Sequence, residues 1–190
     1  MKKIEKIVIF DFDMTVTNVN TPYYIFQSWA KQSFVNKMIF FCFNILQKII
    51  FINKFQRITE YLLVPLIEDQ DLVRIANQII LDDKILNTLS LNRIKKYKRN
   101  KIKIFVVTAA PNKVIKPICD MLYIDTVIGS EIRFGLTIKD LQGKKKHIYK
   151  KIIEKSFFIQ SIYSDQLCDL SPLAKKNFLV GSHSIKLQNK

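Results

Sequence analysis

Glycine, cysteine and histidine are scarce in this 190-residue chain, which contains 4 Gly, 3 Cys and 2 His. So little glycine excludes a collagen-like or low-complexity chain, and a hydrophobic content of 48% excludes a disordered one. The cysteines form no CxxC pair, so neither a disulfide framework nor a structural zinc site is expected. His147 and His183 lack the partner spacing of a catalytic triad or a metal site. The composition leaves one globular domain with a small appendage.

Acidic residues are also few: 31 Lys and Arg stand against 16 Asp and Glu, giving a formal net charge of +15. This charge favours anionic partners, namely phosphate esters, acidic membrane surfaces or nucleic acid, without choosing among them. The apolar N-terminal stretch is interrupted at Asp11 and Asp13 and is followed by no small-residue cleavage site. It therefore favours a buried strand over a signal peptide, and we expect a cytoplasmic protein.

Five short apolar runs bounded by turn residues predict strands that are buried on both faces. They span residues 7–10, 102–107, 126–129, 157–163 and 178–181. Helix-like stretches at residues 112–122 and 146–155 lie between them, and this alternation predicts an α/β protein with a parallel sheet and crossover helices. In such sheets ligands bind at the carboxyl ends of the strands, where three of these runs carry Asp or Thr.

The stretch between the first two strands differs, because its apolar residues recur at helical spacing without strand-like alternation. We assign residues 18–89 to an inserted helical cap, and residues 1–17 and 90–190 to the α/β core. The most apolar part, residues 34–52, has polar interruptions that make it a poor match to a membrane span of about 20 apolar residues. Three interpretations stay open for it: a buried cap helix, an interfacial helix near lipid headgroups, and a transmembrane span. In the interfacial interpretation, the lysines near the headgroups would be Lys31, Lys37, Lys48 and Lys54.

Asp11 and Asp13 follow the first predicted strand directly. Two carboxylates at one strand end are unfavourable unless a cation or a shared proton compensates. One could attack an electrophile while the other transfers a proton, although an isolated Asp-x-Asp pair can also be a solvated turn. Further polar groups along the chain favour chemistry. These are Thr108, the lysines at 144–146, and the segment 164–169.

In this order the groups resemble the four motifs of the haloacid dehalogenase (HAD) superfamily of phosphatases. The segments at residues 108–130 and 163–173 look like the corresponding motif regions of its phosphoserine-phosphatase-like branch. The resemblance covers residues 1–20 and about 100–182. It implies the HAD fold, a Rossmann-like three-layer core around a parallel sheet, with an inserted helical cap.

The resemblance also implies catalytic roles. Asp11 would be the nucleophile that forms an aspartyl-phosphate, and Asp13 would protonate the leaving alcohol and then activate water. Thr108 would hydrogen-bond a phosphoryl oxygen, and a lysine would offset negative charge. The family pattern Gly-x-x-Lys maps Gly143 onto Lys146. Because the preceding segment is short, the neighbouring Lys144 and Lys145 stay open as alternatives.

The cofactor implied by the resemblance is Mg²⁺. Asp11, the backbone carbonyl of Asp13 and Asp165 would bind it, and this hard oxygen ligand set suits that ion. Asp169 would bind the metal directly or through water, or would orient the lysine. Ser164 replaces a frequent glycine and would support the loop.

Asn20 is the predicted substrate-binding residue, and its neutral side chain would pair poorly with a substrate ammonium group. Phosphoserine phosphatases of this branch have an acidic residue shortly after the first motif for the substrate amine, whereas residues 17–21 here contain no carboxylate. We therefore expect a small-molecule phosphomonoester, such as a sugar, polyol or amino-alcohol phosphate. The alternative is a membrane-associated lipid phosphate phosphatase of the phosphatidylglycerophosphatase type, in peripheral contact with the anionic inner membrane. No nucleic acid is expected, because the lysines are spread along the whole chain.

Overall fold

The computed structural model describes residues 4–49, 61–132 and 138–188. The strands are β1 (Glu5–Phe10), β2 (Lys103–Pro111), β3 (Thr126–Ile132), β4 (Ile138–Lys139), β5 (Phe157–Ser164), β6 (Lys176–Val180) and β7 (Ile185–Gln188). The helices are α1 (Thr21–Ala30), α2 (Phe34–Ile49), α3 (Asp69–Leu81), α4 (Thr88–Arg99), α5 (Asn112–Met121) and α6 (Lys145–Glu154). Two 3₁₀ turns span Val64–Leu66 and Leu167–Asp169.

The strands form one sheet in the order β4-β3-β2-β1-β5-β6-β7. Its five inner strands run parallel, and the edge strands β4 and β7 pair antiparallel to their neighbours. In β1 all four residues from Ile7 to Phe10 are fully buried, because helices cover the sheet on both sides. The predicted α/β fold with a parallel sheet is confirmed.

Two apolar clusters lie on opposite faces of the sheet, as alternation along a strand requires. Val8 and Phe10 point into the larger cluster, which they share with residues of α1, α3, α4 and α5. Ile7 and Ile9 point into the smaller cluster, beneath α6. The sheet is therefore the middle of three layers.

The described residues between β1 and β2 are helical or irregular, apart from an isolated bridge that joins Thr17 to Leu86. Backbone bonds from Asn18 N–H to the Ile85 carbonyl and from Asn87 N–H to the Val16 carbonyl hold the two ends of this segment together. Its side chains enter the same core as β1. The assignment of residues 18–89 to a separate cap, and of residues 1–17 and 90–190 to a core, remains a prediction.

Helix α2 is half-buried on one face and exposed on the other. Ile39, Phe40 and Phe43 pack against the core, whereas the opposite face exposes Phe34 and Phe41 to 77% and 56%. The described part of α2 therefore lies against the core without being buried in it, and residues 50–52 lie outside the described residues, as does Lys54. None of the helices described is long and apolar enough to cross a membrane.

Gly129 lets β3 approach β2 closely, near Thr108. A Cβ atom at this position would lie 2.8 Å from the Ala110 carbonyl oxygen, well inside van der Waals contact. The register between the two strands shifts here, between Val107 and Pro111. Glycine thus permits the local backbone path that carries Thr108.

Candidate active site

The carboxyl ends of β2, β1 and β5 meet at one edge of the sheet, because these three strands are parallel neighbours. Asp11 follows β1, Thr108 lies in the last half of β2, and Asp165 follows β5. They border a pocket of about 240 Å³. It is lined by Asp11, Asp13, Met14, Asn20, Thr108, Ala109, Gln142, Gly143, Lys145, Asp165, Gln166 and Asp169. Every predicted site residue except Lys146 is in this set.

The structure places Lys145, one of the alternatives that the sequence left open, at the pocket in place of the predicted Lys146. Lys145 is only 6% exposed, and its Nζ lies 2.7 Å from Asp11 Oδ2 and 2.6 Å from Asp169 Oδ2. Lys146 is exposed. Gly143 has a φ of +68°, in the left-handed region that favours glycine, and α6 then begins at Lys145.

The periodicity of α6 explains why one residue matters. Its buried side chains are Lys145, Ile148, Tyr149 and Ile152, the i, i+3, i+4 and i+7 positions of a single helix face. A shift of one residue rotates a side chain by about 100° around the helix axis. Lys146 is therefore directed away from the pocket.

Burial and charge oppose each other at this ion-pair cluster. Burial raises the pKa of Asp11 above its ordinary value, against the lowering effect of the charge and hydrogen bond of Lys145. Burial lowers the pKa of Lys145, but Asp11 and Asp169 outweigh it and leave the pKa raised. Lys145 is thus held as a cation between two carboxylates, in a site that is largely removed from water.

Ser164 is also part of this cluster. The sequence predicted only that Ser164 supports the loop, and it gave no indication of contact with Asp11 and Asp169. Its Oγ is fully buried and lies 3.4 Å from Asp11 Oδ2 and 3.5 Å from Asp169 Oδ2. It also accepts a hydrogen bond of 3.2 Å from the Gln166 N–H, so it does support the loop. The one signal in the sequence is its position directly before Asp165, which does not reveal contact with a residue 153 positions away.

Asp165 has the features of a metal ligand. Its backbone N–H donates to Thr15 Oγ1 at 2.9 Å, while its side-chain Oδ1 is buried and accepts no hydrogen bond from the described residues. Burial raises the pKa of Asp165, with Lys145 and Asp11 opposing the rise. A buried carboxylate oxygen without a donor is unfavourable, and a bound cation would satisfy it.

The donor set at this position fits Mg²⁺. The Asp11 and Asp165 carboxylates and the Asp13 carbonyl are hard oxygen ligands, and Mg²⁺ keeps several waters, so it needs few protein ligands. Within the described part of the chain, no three acidic, His or Cys side chains are grouped closely enough to hold a metal by themselves. Because Lys145 Nζ occupies Asp169 Oδ2, the structure favours lysine orientation among the roles predicted for Asp169.

The remaining predicted residues have defined positions at the pocket. Asp13 Oδ1 accepts a 2.8 Å hydrogen bond from the Thr21 N–H at the start of α1. Thr108 is buried, and its Oγ1 accepts from the Ala110 N–H at 3.1 Å, so its hydroxyl proton can serve a ligand. Asn20 caps α1 by accepting from the Tyr23 N–H at 3.1 Å. The site therefore combines a buried carboxylate beside a cation with a second, oriented carboxylate and a hydroxyl.

A family model of haloacid dehalogenase-like hydrolases matches residues 8–160 of the chain. The match includes Asp11, Asp13, Thr108 and Lys145, and it ends shortly before Asp165. A search of curated proteins found no match to this chain.

Solved structures of similar fold cover most of the chain. A protein of unknown function from Bordetella pertussis Tohama I is 14% identical, with a TM-score of 0.62 over 88% of this chain and 85% of that one. A phosphoserine phosphohydrolase-like protein from Francisella tularensis is 17% identical, with a TM-score of 0.56 over 90% and 85% of the two chains. An apo phosphoserine phosphatase is 16% identical, with a TM-score of 0.56 over 91% and 84%.

At these identities the structural likeness establishes the fold, and the family model establishes the relationship. Together with the residues gathered at the strand ends, it confirms the resemblance that the sequence motifs indicate. This chain belongs to the haloacid dehalogenase-like hydrolase family, and its fold is similar to that of a phosphoserine phosphatase.

Proposed function

We propose that the protein is a Mg²⁺-dependent phosphatase that hydrolyses a small phosphomonoester through an aspartyl-phosphate on Asp11. The observation that carries the proposal is the buried ion-pair cluster of Asp11, Lys145 and Asp169 at the pocket floor. Burying these charges is unfavourable for stability alone. It is what a site needs when it must attract and neutralise a phosphoryl group.

In the first half-reaction a carboxylate oxygen of Asp11 attacks phosphorus, and the bond from phosphorus to the ester oxygen breaks. Asp13 gives its proton to the departing alkoxide, which leaves as the alcohol. The hydrogen bond from the Thr21 N–H to Asp13 Oδ1 supports this role, because it fixes the carboxyl group beside the pocket. Lys145 and Thr108 stabilise the negative oxygens of the transferring group.

In the second half-reaction Asp13, now ionised, takes a proton from water as the water oxygen attacks phosphorus. The bond from phosphorus to Asp11 breaks, which releases inorganic phosphate and restores the carboxylate. Asp11, Asp165 and the Asp13 carbonyl would hold Mg²⁺, which supplies further neutralisation of phosphoryl charge when bound. Asp169 holds Lys145 in place by accepting a hydrogen bond from its Nζ, and Ser164 holds Asp11 in place by donating one to its Oδ2.

The pocket lining favours an uncharged leaving group. Among the residues that the structure describes, the lining side chains with functional groups other than the four aspartates and Lys145 are neutral, including Asn20, Gln142 and Gln166. Such amides can hydrogen-bond hydroxyl groups, but they provide no carboxylate for a substrate ammonium group. We therefore place sugar and polyol phosphates ahead of phosphoserine.

One observation favours a second candidate, a lipid phosphate reached at an anionic membrane surface. Helix α2 exposes Phe34, Met38 and Phe41 on one face, beside the exposed Lys37. An apolar face flanked by lysine is typical of an interfacial helix. This candidate differs from the first in the leaving group and keeps the same chemistry at Asp11.

The deciding experiment measures phosphate release from serine, glycerol, sugar and lipid phosphates, each with and without Mg²⁺. We expect Mg²⁺-dependent release from a sugar or polyol phosphate, and loss of roughly 10³-fold or more in the Asp11→Asn variant. Circular dichroism must show that this variant remains folded. Full activity in Asp11→Asn would contradict the mechanism, and preference for the lipid phosphate would select the second candidate.

A further inference from the structure

Two side chains fix the loop that precedes Lys145. Ser130 Oγ accepts a 3.0 Å hydrogen bond from the Leu141 N–H, and Asp140 Oδ1 accepts one of 3.0 Å from the Gln142 N–H. Successive amides of the loop are thus held by groups from two different positions. Because α6 begins immediately afterwards, the placement of this loop sets the point at which Lys145 enters the pocket.

Both of these side chains are tied to other parts of the molecule. Ser130 Oγ donates to the Ala109 carbonyl at 2.7 Å, directly beside Thr108. Asp140 Oδ1 accepts from the Tyr61 hydroxyl at 3.1 Å. Tyr61 belongs to the helical segment between β1 and β2, and lies 79 residues from Asp140 in the chain. Ser130 Oγ also lies 3.3 Å from Asp140 Oδ1, so these hydrogen bonds connect the helical segment to the lysine loop and to the Ala109 carbonyl, next to Thr108.

The Tyr61 side chain is suited to hold this connection. Only 3% of the residue is exposed, so its ring is held by packing, and its hydroxyl reaches the half-buried Asp140. A hydrogen bond to a carboxylate in such surroundings is stronger than a neutral one on the surface. Its partner also holds the Gln142 N–H, and Gln142 lines the pocket.

We propose that Tyr61 is a positioning residue whose hydroxyl couples the helical segment to the loop carrying Lys145. The inference rests on the proposed function, because Lys145 matters to turnover only if the pocket transfers a phosphoryl group. When the segment is in place, Tyr61 holds Asp140, and Asp140 holds the loop. When the hydroxyl is absent, the loop loses one of its anchors, and Lys145 is held less firmly against Asp11.

The test compares Tyr61→Phe with Tyr97→Phe. Tyr97 is a matched control because its hydroxyl also makes an intramolecular bond, at 2.8 Å to the Tyr163 hydroxyl. Hydrogen–deuterium exchange of residues 140–145 is the first readout and needs no activity. We expect exchange at Leu141 and Gln142 to rise about fivefold in Tyr61→Phe, the effect of one hydrogen bond, and to stay at the wild-type rate in Tyr97→Phe.

Steady-state kinetics give the second readout. Tyr61→Phe is expected to lower kcat about fivefold with KM changed less than about twofold, because the interaction that weakens acts in the transition state. Asp140→Asn keeps an acceptor oxygen and is expected to retain most of kcat, whereas Asp140→Ala, which also loses the hydrogen bond from the Gln142 N–H, should lower kcat at least as much as Tyr61→Phe does. A general loss of stability would not separate these two replacements in this way.

Equal loop exchange and equal kcat in Tyr61→Phe and Tyr97→Phe would overturn the inference. So would an Asp140→Ala variant with wild-type loop exchange. If the wild-type protein releases phosphate from no ester, the proposed function fails, and the exchange comparison still decides whether Tyr61 holds the loop.

Discussion

The pocket floor and helix α2 depart from the usual distribution of residues in opposite directions. The pocket floor buries the charged groups of Asp11, Lys145 and Asp169, whereas α2 exposes the large apolar side chains of Phe34 and Phe41. Buried charges are normally rare, and large exposed apolar patches are normally associated with binding. The buried charges have partners within the molecule. The exposed apolar side chains of α2 would have a functional role only if another molecule contacts them.

This difference shows where structure by itself is informative. At the pocket floor each charge lies within 2.7 Å of an opposite charge, so geometry identifies the partners, and these partners support the proposed chemistry. On α2 the described residues provide the face and the neighbouring Lys37, which indicate a type of surface. Mutations in the two regions should therefore change different quantities.

The largest effect is expected from Lys145→Ala. Loss of the cation leaves two buried carboxylates without their partner and removes charge stabilisation from the transition state, so activity should fall by about 10² to 10³-fold. Phosphate release under saturating Mg²⁺ measures this change. Lys146→Ala, one residue away and exposed, is the matched control and should keep near-wild-type turnover. A larger loss in Lys146→Ala than in Lys145→Ala would overturn the assignment.

The next effect concerns stability and compares two phenylalanines of the helical segment. Phe26 is buried in the core, and Phe26→Ala should lower the free energy of unfolding by about 3 to 5 kcal/mol. Phe41 is exposed, so Phe41→Ala should change it by less than about 0.5 kcal/mol. Urea unfolding followed by circular dichroism gives both values. Similar losses in the two variants would show that the outer face of α2 is covered in solution.

The smallest effect concerns the same exposed face and tests the second candidate function. Partial sedimentation with anionic lipid vesicles at low salt, reduced in Phe41→Ser, would support membrane contact, because apolar area and charge both contribute to interfacial binding. Neutral vesicles are the control and should bind less protein. Absence of the protein from the pellet at both low and moderate salt would contradict this candidate.

Much of the fold follows from local patterns in the sequence. Short apolar runs between turn residues predict the strands β1, β2, β3, β5 and β6, because strands buried on both faces must be apolar throughout. Parallel strands then place their carboxyl ends at one edge, and this brings Asp11, Thr108 and Asp165 together although they are far apart in the chain. The edge strands β4 and β7 were not predicted, since they have only two and four residues and each is paired on one side only, which leaves little local pattern to read.

Other features were decided by tertiary structure. The motif pattern selected Lys146. After the turn at Gly143, however, α6 begins at Lys145, one residue before the predicted start. Because each residue is rotated by about 100° around the helix axis, Lys145 faces the pocket and Lys146 does not. The contact of Ser164 with Asp11 and that of Tyr61 with Asp140 join residues 153 and 79 positions apart.

The sequence by itself determined that the inner strands are buried on both faces, which edge of the sheet carries the site, and which residue types lie there. Each of these depends on local periodicity or on the shared direction of parallel strands. The tertiary structure decided which lysine contacts Asp11, which side chains hold it, and which face of α2 is exposed. These depend on angles and distances between elements that are far apart in the chain, and local periodicity does not specify them.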